Sequence, residues 1–141
     1  MKRILVAVDG SEAAGRAAHF AAGLAERTGA ILELLHVYDA PTAAHLGLRA
    51  LSKEEIGQRG ARIAQGSLQA AEAVIDRQTL RVEHHHAPGH PHTEIVVRAQ
   101  ETGAELIVVG SRGLGAIKGV LLGSVSRKVL ERAPCPVTVV P

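Results

Sequence analysis

The sequence predicts one α/β domain, built on a doubly wound parallel sheet of five strands. Five short apolar runs alternate along the 141-residue chain with segments of helical periodicity. Three of these runs are continuously apolar, which is typical of strands covered by helices on both faces. Alternation of strand and helix favours right-handed crossovers, and these build a parallel sheet.

The predicted strands are short and consist mainly of Val, Ile and Leu. They comprise Ile4–Val8, Ile31–Val37, Leu80–His84, Leu106–Val109 and Val137–Val140. If the first strand is central and the fourth is its neighbour where the winding direction reverses, Asp9 and Gly110 emerge side by side. Ligands of such sheets bind at that place, beyond the carboxyl ends of the strands.

The first predicted helix has a clear start and a clear end. Ser11 suits the N-cap position, and Gly29 stands just past the last turn. Its apolar stripe consists of Ala14, Ala17, Ala18, Ala21, Leu24 and Ala25.

The second predicted helix, Lys53–Arg77, is less regular. Its apolar positions are Ile56, Ile63, Ala64, Leu68, Ala71 and Ile75. Gly57, Gly60 and Gly66 weaken it by roughly 1 kcal/mol each relative to alanine, so we expect its first half to fray. Before it, Asp39–Ser52 has no clear period and is predicted to be a loop over one edge of the domain.

Two further helices follow the third and fourth strands. The third helix is indicated by Ile95, Val96 and Ala99. The fourth begins near Ser124 and is stopped by Pro134. Its apolar positions are Val125, Val129, Leu130 and Ala133.

Composition narrows the classes of partner. Hydrophobic residues make up 46% of the chain, but Phe20 and Tyr38 are its only aromatic residues, so the core must be aliphatic. An aromatic platform for stacking nucleic-acid bases is therefore absent. The net charge is only +2, and the Lys and Arg residues are scattered, which disfavours nucleic acid as the main partner.

The sequence also predicts a soluble, cytoplasmic protein without membrane insertion. Cys135 is the single cysteine, which precludes an intrachain disulfide and agrees with a reducing compartment. We expect it to be a small buried residue between two prolines. Lys2-Arg3 precedes an apolar run that stops at Asp9, too short for a signal core or a membrane span.

The most informative segment is a glycine-rich loop after the fourth strand. Gly110 and Gly113 are followed nine residues later by Gly123-Ser124, at the start of the last helix. Glycines here let backbone N–H groups approach phosphate oxygens closely. From Leu106 to Leu130 the chain has four basic residues and no acidic one. A flexible surface loop is the alternative, but this connection is longer than the usual 2–6 residues, and long loops often carry function.

Two familiar phosphate motifs do not fit this loop. A P-loop needs a lysine directly before its final Ser or Thr, and Gly123 stands there instead. The dinucleotide fingerprint fails because Lys118 occupies the place of its third glycine, and no acidic residue ends a following strand.

The spacing Gly, two residues, Gly, nine residues, Gly-Ser resembles that of the universal stress protein family, in its ATP-binding branch. The resemblance covers essentially the whole chain. It includes Ile4–Ser11, His36-Val37, Gly89, Glu105–Gly110 and Pro134–Val137. It implies a Rossmann-like fold of the adenine nucleotide alpha hydrolase-like group, with strand order 3-2-1-4-5 and one domain over residues 1–141.

The resemblance also implies a nucleotide site. Asp9 and Gly110 would face the ribose, while main-chain atoms near Ala7 and Val37 would hold the adenine. The remaining implied contacts are Val109 in the fourth strand and, around the phosphates, Arg112, Gly113, Gly123, Ser124, Val125 and, more weakly, Ser126. A carboxylate suits two ribose hydroxyls, and helix N-terminal amides suit a phosphate. Asp9 could instead cap the first helix near Ser11.

The implied ligand is ATP, with Mg²⁺ or Mn²⁺ held by its phosphates. The phosphate loop contains no Asp, Glu or His to serve as a base or orient a water. We therefore interpret the protein as a nucleotide-dependent sensor or switch in the stress response, with slow or no hydrolysis and no catalytic residue assigned. A genuine ATPase, or a nucleotide-regulated interaction module for another protein, is the alternative.

Two features stand apart from the loop. His84, His85, His86, His90 and His92 crowd nine residues. Neighbouring strand positions face opposite sides, and two prolines interrupt the spacing, so a metal site is disfavoured. The resemblance further implies a homodimer through the final strand, 137–140, whose apolar edge invites pairing.

Overall fold

The computed structural model describes residues 1–39, 52–75, 79–115, 117–119 and 121–141, and in these ranges five strands alternate with four helices. The elements are β1 (Arg3–Ala7), α1 (Glu12–Thr28), β2 (Ile31–Tyr38), α2 (Lys53–Glu72), β3 (Val82–Pro88), α3 (Pro91–Thr102), β4 (Leu106–Gly110), α4 (Ser124–Arg132) and β5 (Val137–Val140). The predicted loop over 39–52 lies outside the described residues except for its two ends.

All strand pairs are parallel, and the order is β3-β2-β1-β4-β5. Val6 of β1 pairs with Leu34 of β2 on one side and with Val108 of β4 on the other. The predicted fold class and strand order are therefore confirmed. Since β1 adjoins both β2 and β4, the winding reverses beside it, and the segments after β1 and β4 meet at one edge of the sheet.

Alternate residues of the central strands build two separate cores. On one face, Ile4 and Val6 of β1 pack with the alanine stripe of α1 and with Leu68 of α2. On the other face, Leu5 packs with Ile95 of α3 and Val129 of α4. Coverage on both faces explains why β1 and β4 are continuously apolar and why β2 is largely so.

The ends of α1 follow the predicted caps. The Ser11 hydroxyl accepts a hydrogen bond from the N–H of Ala14 at 3.2 Å, and Gly29 ends the helix with φ of 70°. The helix α2 begins with a capping box between Ser52 and Glu55.

The expectation that the first half of α2 frays was wrong, and the helix ends at Glu72 rather than at Arg77. Gly60 explains why a poor helix former stands in that half. A Cβ at this position would overlap the ring of Tyr38, so the glycine lets α2 pack directly against β2.

The third strand differs from its prediction. It begins at Val82 rather than Leu80 and continues through the three histidines to Pro88, because β2 pairs with it over its whole length. As the outer strand beside β2, it needs no continuous apolar run.

The prediction that Leu130 belongs to the apolar face of α4 was wrong. Leu130 is 46% exposed, whereas Val129 beside it is fully buried.

Cys135 is partly buried rather than fully buried, and it packs against the core on the α3 and α4 side. Burial raises the pKa of its thiol, which disfavours the nucleophilic thiolate. Among the helices of the described ranges, none has the length and apolar character needed to cross a membrane.

Candidate functional site

A cleft of about 420 Å³ opens at the carboxyl ends of β1, β2 and β4, where the winding reverses. The eleven residues predicted for the site all line this cleft. They are Ala7, Asp9, Val37, Val109, Gly110, Arg112, Gly113, Gly123, Ser124, Val125 and Ser126. The cleft therefore brings together residues from three strand ends and from the start of α4.

One end of the cleft is apolar. Leu35 and Ile95, each 1% exposed, line it together with Val37 and Pro91. Sequence reasoning missed Pro91 and Ile95, because an apolar residue in a helix is indistinguishable from an ordinary core residue until the helix is placed. Asp39, just past β2, lies on the same lining and is exposed.

The opposite end is formed by the start of α4. This helix has Gly123 as its N-cap and no side-chain capping bond, unlike α1 and α2, which are capped by serines. Its first intrahelical bond runs from Arg127 N to Gly123 O, so the amides of Ser124, Val125 and Ser126 precede the helical ladder. Such amides, with the positive end of the helix dipole, form an anion-binding surface.

Two residues of this end have structural contacts as well. The Gly123 N–H donates to Ser111 O at 2.6 Å, so its amide is already occupied. Ser126 is 3% exposed, and its hydroxyl proton is shared between the carbonyls of Gly110 and Ser111, each at 3.1 Å. Ser124, by contrast, is exposed in the cleft.

Asp9 links the two loops that meet beside the cleft. Its Oδ1 accepts from Ser11 N–H at 2.9 Å, and its Oδ2 accepts from Leu114 N–H at 3.1 Å. The helix α1 is capped by Ser11 itself, so Asp9 stabilises the entry to the helix rather than serving as its N-cap. A carboxylate oxygen accepts more than one hydrogen bond, and further acceptor capacity remains for a donor in the cleft.

Both glycines of the first motif half lie against close neighbours, but only Gly110 lies against backbone, which cannot easily move aside. A Cβ on Gly110 would lie 2.8 Å from the backbone carbon of Ala13 and 2.9 Å from its Cβ. A Cβ on Gly113 would lie 2.6 Å from Asp9 Oδ2. The glycines therefore let α1 and the Asp9 carboxylate approach the end of β4.

The wall of the cleft is stiffened by a buried histidine. His36 is 5% exposed, and its Nδ1 lies 2.9 Å from the carbonyl oxygen of Val8. Val8 N–H in turn donates to Leu35 O at 2.9 Å, which extends the pairing of β1 and β2 towards Asp9. The ends of these two strands are thus fixed beside the apolar end of the cleft.

The histidines that crowd residues 84–92 lie in β3 and at the start of α3. His86 contacts the ring of Tyr38, while His85 lies on the α3 side, where burial and the nearby Arg98 lower its pKa. The rings of His90 and His92 stack with centroids 6.2 Å apart, and burial together with Lys128 and Arg132 lowers the pKa of His92. Within the part of the chain that the structure describes, no three His, Cys, Asp or Glu residues are arranged to hold a metal ion.

Comparison with known proteins finds a family and relatives that match the chain over nearly its whole length. The model of the Universal stress protein family matches residues 1–141. A Thermus aquaticus protein, the universal stress protein in the QAH/OAS sulfhydrylase 3' region, is 40% identical over 139 residues, which cover 99% of this chain and 98% of that protein.

Solved structures agree with this match. The universal stress protein UspA from Lactobacillus plantarum superposes with a TM-score of 0.81 at 28% identity, covering 99% of this chain and 97% of its own. A universal stress protein in complex with cAMP gives 0.69 at 27% identity, with coverage of 99% and 95%. The universal stress protein from Archaeoglobus fulgidus in complex with dAMP gives 0.69 at 25% identity, with coverage of 100% and 98%. On the family match and the relatives, the chain belongs to the universal stress protein family.

Proposed function

We propose that this protein binds ATP in the cleft and acts as a nucleotide-dependent switch in the stress response, with slow or no hydrolysis. The observation that carries the proposal is the uncapped start of α4, which lines the same cleft as Asp9 and an apolar end. In this proposal the phosphates would meet the start of α4, the ribose would meet Asp9 and the base would meet the apolar end. Relatives solved with cAMP and dAMP support an adenine nucleotide as the ligand class.

The phosphates fit the α4 end of the cleft. Its amides supply donors, Ser124 supplies a hydroxyl, and Arg112 supplies a cation. Hydrogen bonds to charged groups contribute about 1.5–3 kcal/mol each. Four or five of them suffice for micromolar affinity, about −8 kcal/mol, after the entropy loss on binding is subtracted.

The nucleoside fits the opposite end. Asp9 lies between the two ends and offers a carboxylate to the ribose hydroxyls, while Val37 and Ile95 offer apolar contact to a base. Mg²⁺ or Mn²⁺ would be held by the phosphates, because the described residues provide no cluster that holds a cation by itself.

A genuine ATPase is the competing function. Hydrolysis needs a group that orients water at the terminal phosphate. Among the described residues, Asp9 and Asp39 are the acidic ones that line the cleft, and they follow β1 and β2 rather than lying in the phosphate loop. A switch that favours one conformation by binding it more tightly needs no such group.

Calorimetry tests the binding proposal directly. Titration of the full chain with ATP and Mg²⁺ should give a dissociation constant in the micromolar range, and no heat would contradict the site. The nucleotide released by denaturing freshly purified protein gives an independent measure: ATP supports a slow switch, while ADP or AMP supports hydrolysis. Turnover of about one per second or faster would favour the enzyme.

We further propose a homodimer formed through 137–140, and a protein partner that reads the nucleotide state. In the described part of the sheet, β5 is an outer strand with all four residues partly buried. A free strand edge with apolar side chains favours pairing with a second copy. A cytoplasmic location also stays a prediction, made from the single thiol of Cys135.

A further inference from the structure

We propose that the ribose of ATP displaces the Leu114 amide from Asp9, so that nucleotide binding releases the loop that follows Gly113. This inference rests on the proposed function and assigns a regulatory role to one hydrogen bond of the same site. We call the bond between Asp9 Oδ2 and Leu114 N–H the latch. It joins residues that are 105 positions apart in the sequence.

The latch occupies the group that the ribose would need. Asp9 Oδ1 accepts from Ser11 at the entry to α1, whereas Oδ2 accepts from Leu114. The Ser11 bond is local and lies within the β1–α1 connection, so a ligand has no reason to break it. The Leu114 bond joins two residues that both line the cleft.

Sterics favour exchange rather than simple addition. The Cα of Gly113 lies so close to Oδ2 that a Cβ there would be 2.6 Å away, so the loop crowds that oxygen. The carboxylate retains lone pairs for further donors, but with the loop this close two adjacent ribose hydroxyls reach it only when Leu114 moves away. Two charge-assisted O–H bonds from the ribose are also stronger together than the single charge-assisted amide bond, 3.1 Å long, that they replace.

The released segment carries apolar side chains that are exposed to solvent. Leu114 and Ile117 are each 73% exposed, and Leu121 is 93% exposed. These three side chains make little contact with the core, so they can shift without disturbing the sheet. Through the latch, ATP binding would therefore change the position of an apolar surface loop. This coupling requires that ATP bind more tightly to the protein when the latch is open than when it is closed.

Amide proton exchange measured by NMR on the full-length protein tests the latch. ATP with Mg²⁺ should speed solvent exchange of the Leu114 amide about 10- to 150-fold, the effect of losing one hydrogen bond to a charged group. The Ser11 amide should remain unchanged, since its acceptor is Oδ1. The analogue 2′,3′-dideoxy-ATP, added until the Ser124 resonance is fully shifted, should not speed exchange at Leu114, because it has no ribose hydroxyls.

An Asp9→Ala variant provides the reference for an open latch. Its Leu114 amide should exchange fast both with and without ATP. In the natural chain, exchange at Leu114 that stays constant or slows when ATP binds overturns the latch but leaves the binding site intact. Equal acceleration by the dideoxy analogue also overturns it, while absence of any ATP heat in calorimetry overturns the latch and the proposed function together.

Discussion

Asp9 and Gly113 approach each other so closely that a Cβ on Gly113 would lie 2.6 Å from Oδ2 of the aspartate. A Cβ at this position would force the carboxylate, the far end of a side chain, to shift from its bonds with Ser11 and Leu114. The spacing of the motif glycines thus reflects contact within the protein as well as access for a ligand.

Replacement of Gly113 should abolish ATP binding. In Gly113→Val the new side chain would displace Asp9 or the loop, and both line the cleft. Gly23→Val is the control, because a Cβ at Gly23 meets no heavy atom within 4 Å and this residue does not line the cleft. Calorimetry should show no heat for the first variant and near-normal affinity for the second; unchanged affinity in a folded Gly113→Val protein would refute the assignment.

Replacement of Gly110 should change the free energy of unfolding more than the affinity for ATP. In Gly110→Ala the methyl group would lie 2.8 Å from the backbone of Ala13, and such overpacking lowers the free energy of unfolding by about 1–3 kcal/mol or more. Gly15→Ala, in the interior of α1 with open space around it, should instead raise it by about 0.5–1 kcal/mol. Urea denaturation measures both, and equal stability of the two variants would show that the close contact is relaxed at no cost.

Ser124 and Ser126 should respond differently to alanine substitution. Ser124 is exposed in the cleft, so Ser124→Ala should weaken ATP binding about 10- to 150-fold and leave stability unchanged. Ser126 donates to the carbonyls of Gly110 and Ser111 in a buried position, so Ser126→Ala should lower the free energy of unfolding by about 1–3 kcal/mol. Calorimetry and denaturation on both proteins separate the roles, and a normal dissociation constant for Ser124→Ala would exclude it as a ligand.

Val139→Pro should give a monomer without loss of the fold. Pro136 O and Val140 O face β4, since they accept from Ile107 N–H and Ser111 N–H, so Val139 directs its own N–H towards the free edge. Proline removes that donor from the edge and leaves the ladder to β4 complete. Sedimentation of the natural chain should show a dimer at micromolar concentration, and dimerisation that persists in the variant would exclude pairing through this edge.

Glu83 should make stability depend on pH in the acid range. Its hydrogen bond with Arg3 at 2.7 Å lowers the pKa of the carboxyl from 4.5. A lowered folded pKa means that the unfolded chain binds more protons, so the contribution is full above about pH 4.5 and is lost as pH falls through the folded value. The stability difference between the natural chain and Glu83→Gln should therefore shrink between pH 7 and pH 3 in urea denaturation; a constant difference would contradict this ion pair.

Local patterns were enough to predict most of the secondary structure. The strands β1, β2 and β4 are buried on both faces, so hydrophobic runs mark them, and Ser11 and Gly29 mark the ends of α1 by their own conformational preferences. The third strand was misplaced because an outer strand carries little apolar signal. Its length is set by pairing with β2, which a reading of local sequence does not contain.

Only the tertiary structure shows how the buried charge of Glu33 is paired. Glu33 stands inside the apolar run of β2 and is fully buried, where an unpaired carboxylate would be strongly destabilising. Arg3 from β1 and Arg98 from α3 donate to its two oxygens at 2.8 and 2.6 Å. Parallel pairing and helix packing bring these three residues together from distant parts of the chain.

By itself, the sequence determined the α/β fold and the order of its elements along the chain, because periodicity is a local property, and its resemblance to the universal stress protein family implied eleven of the residues that line the cleft. Only the tertiary structure shows the contacts that these residues make within the protein. Gly110 packs against Ala13, Gly113 lies against Asp9, and Ser126 donates a hydrogen bond to Gly110 O at the end of β4. The tertiary structure also added Pro91 and Ile95 to the cleft. Contacts of this kind depend on how the helices pack against the sheet, and no spacing along one segment specifies them.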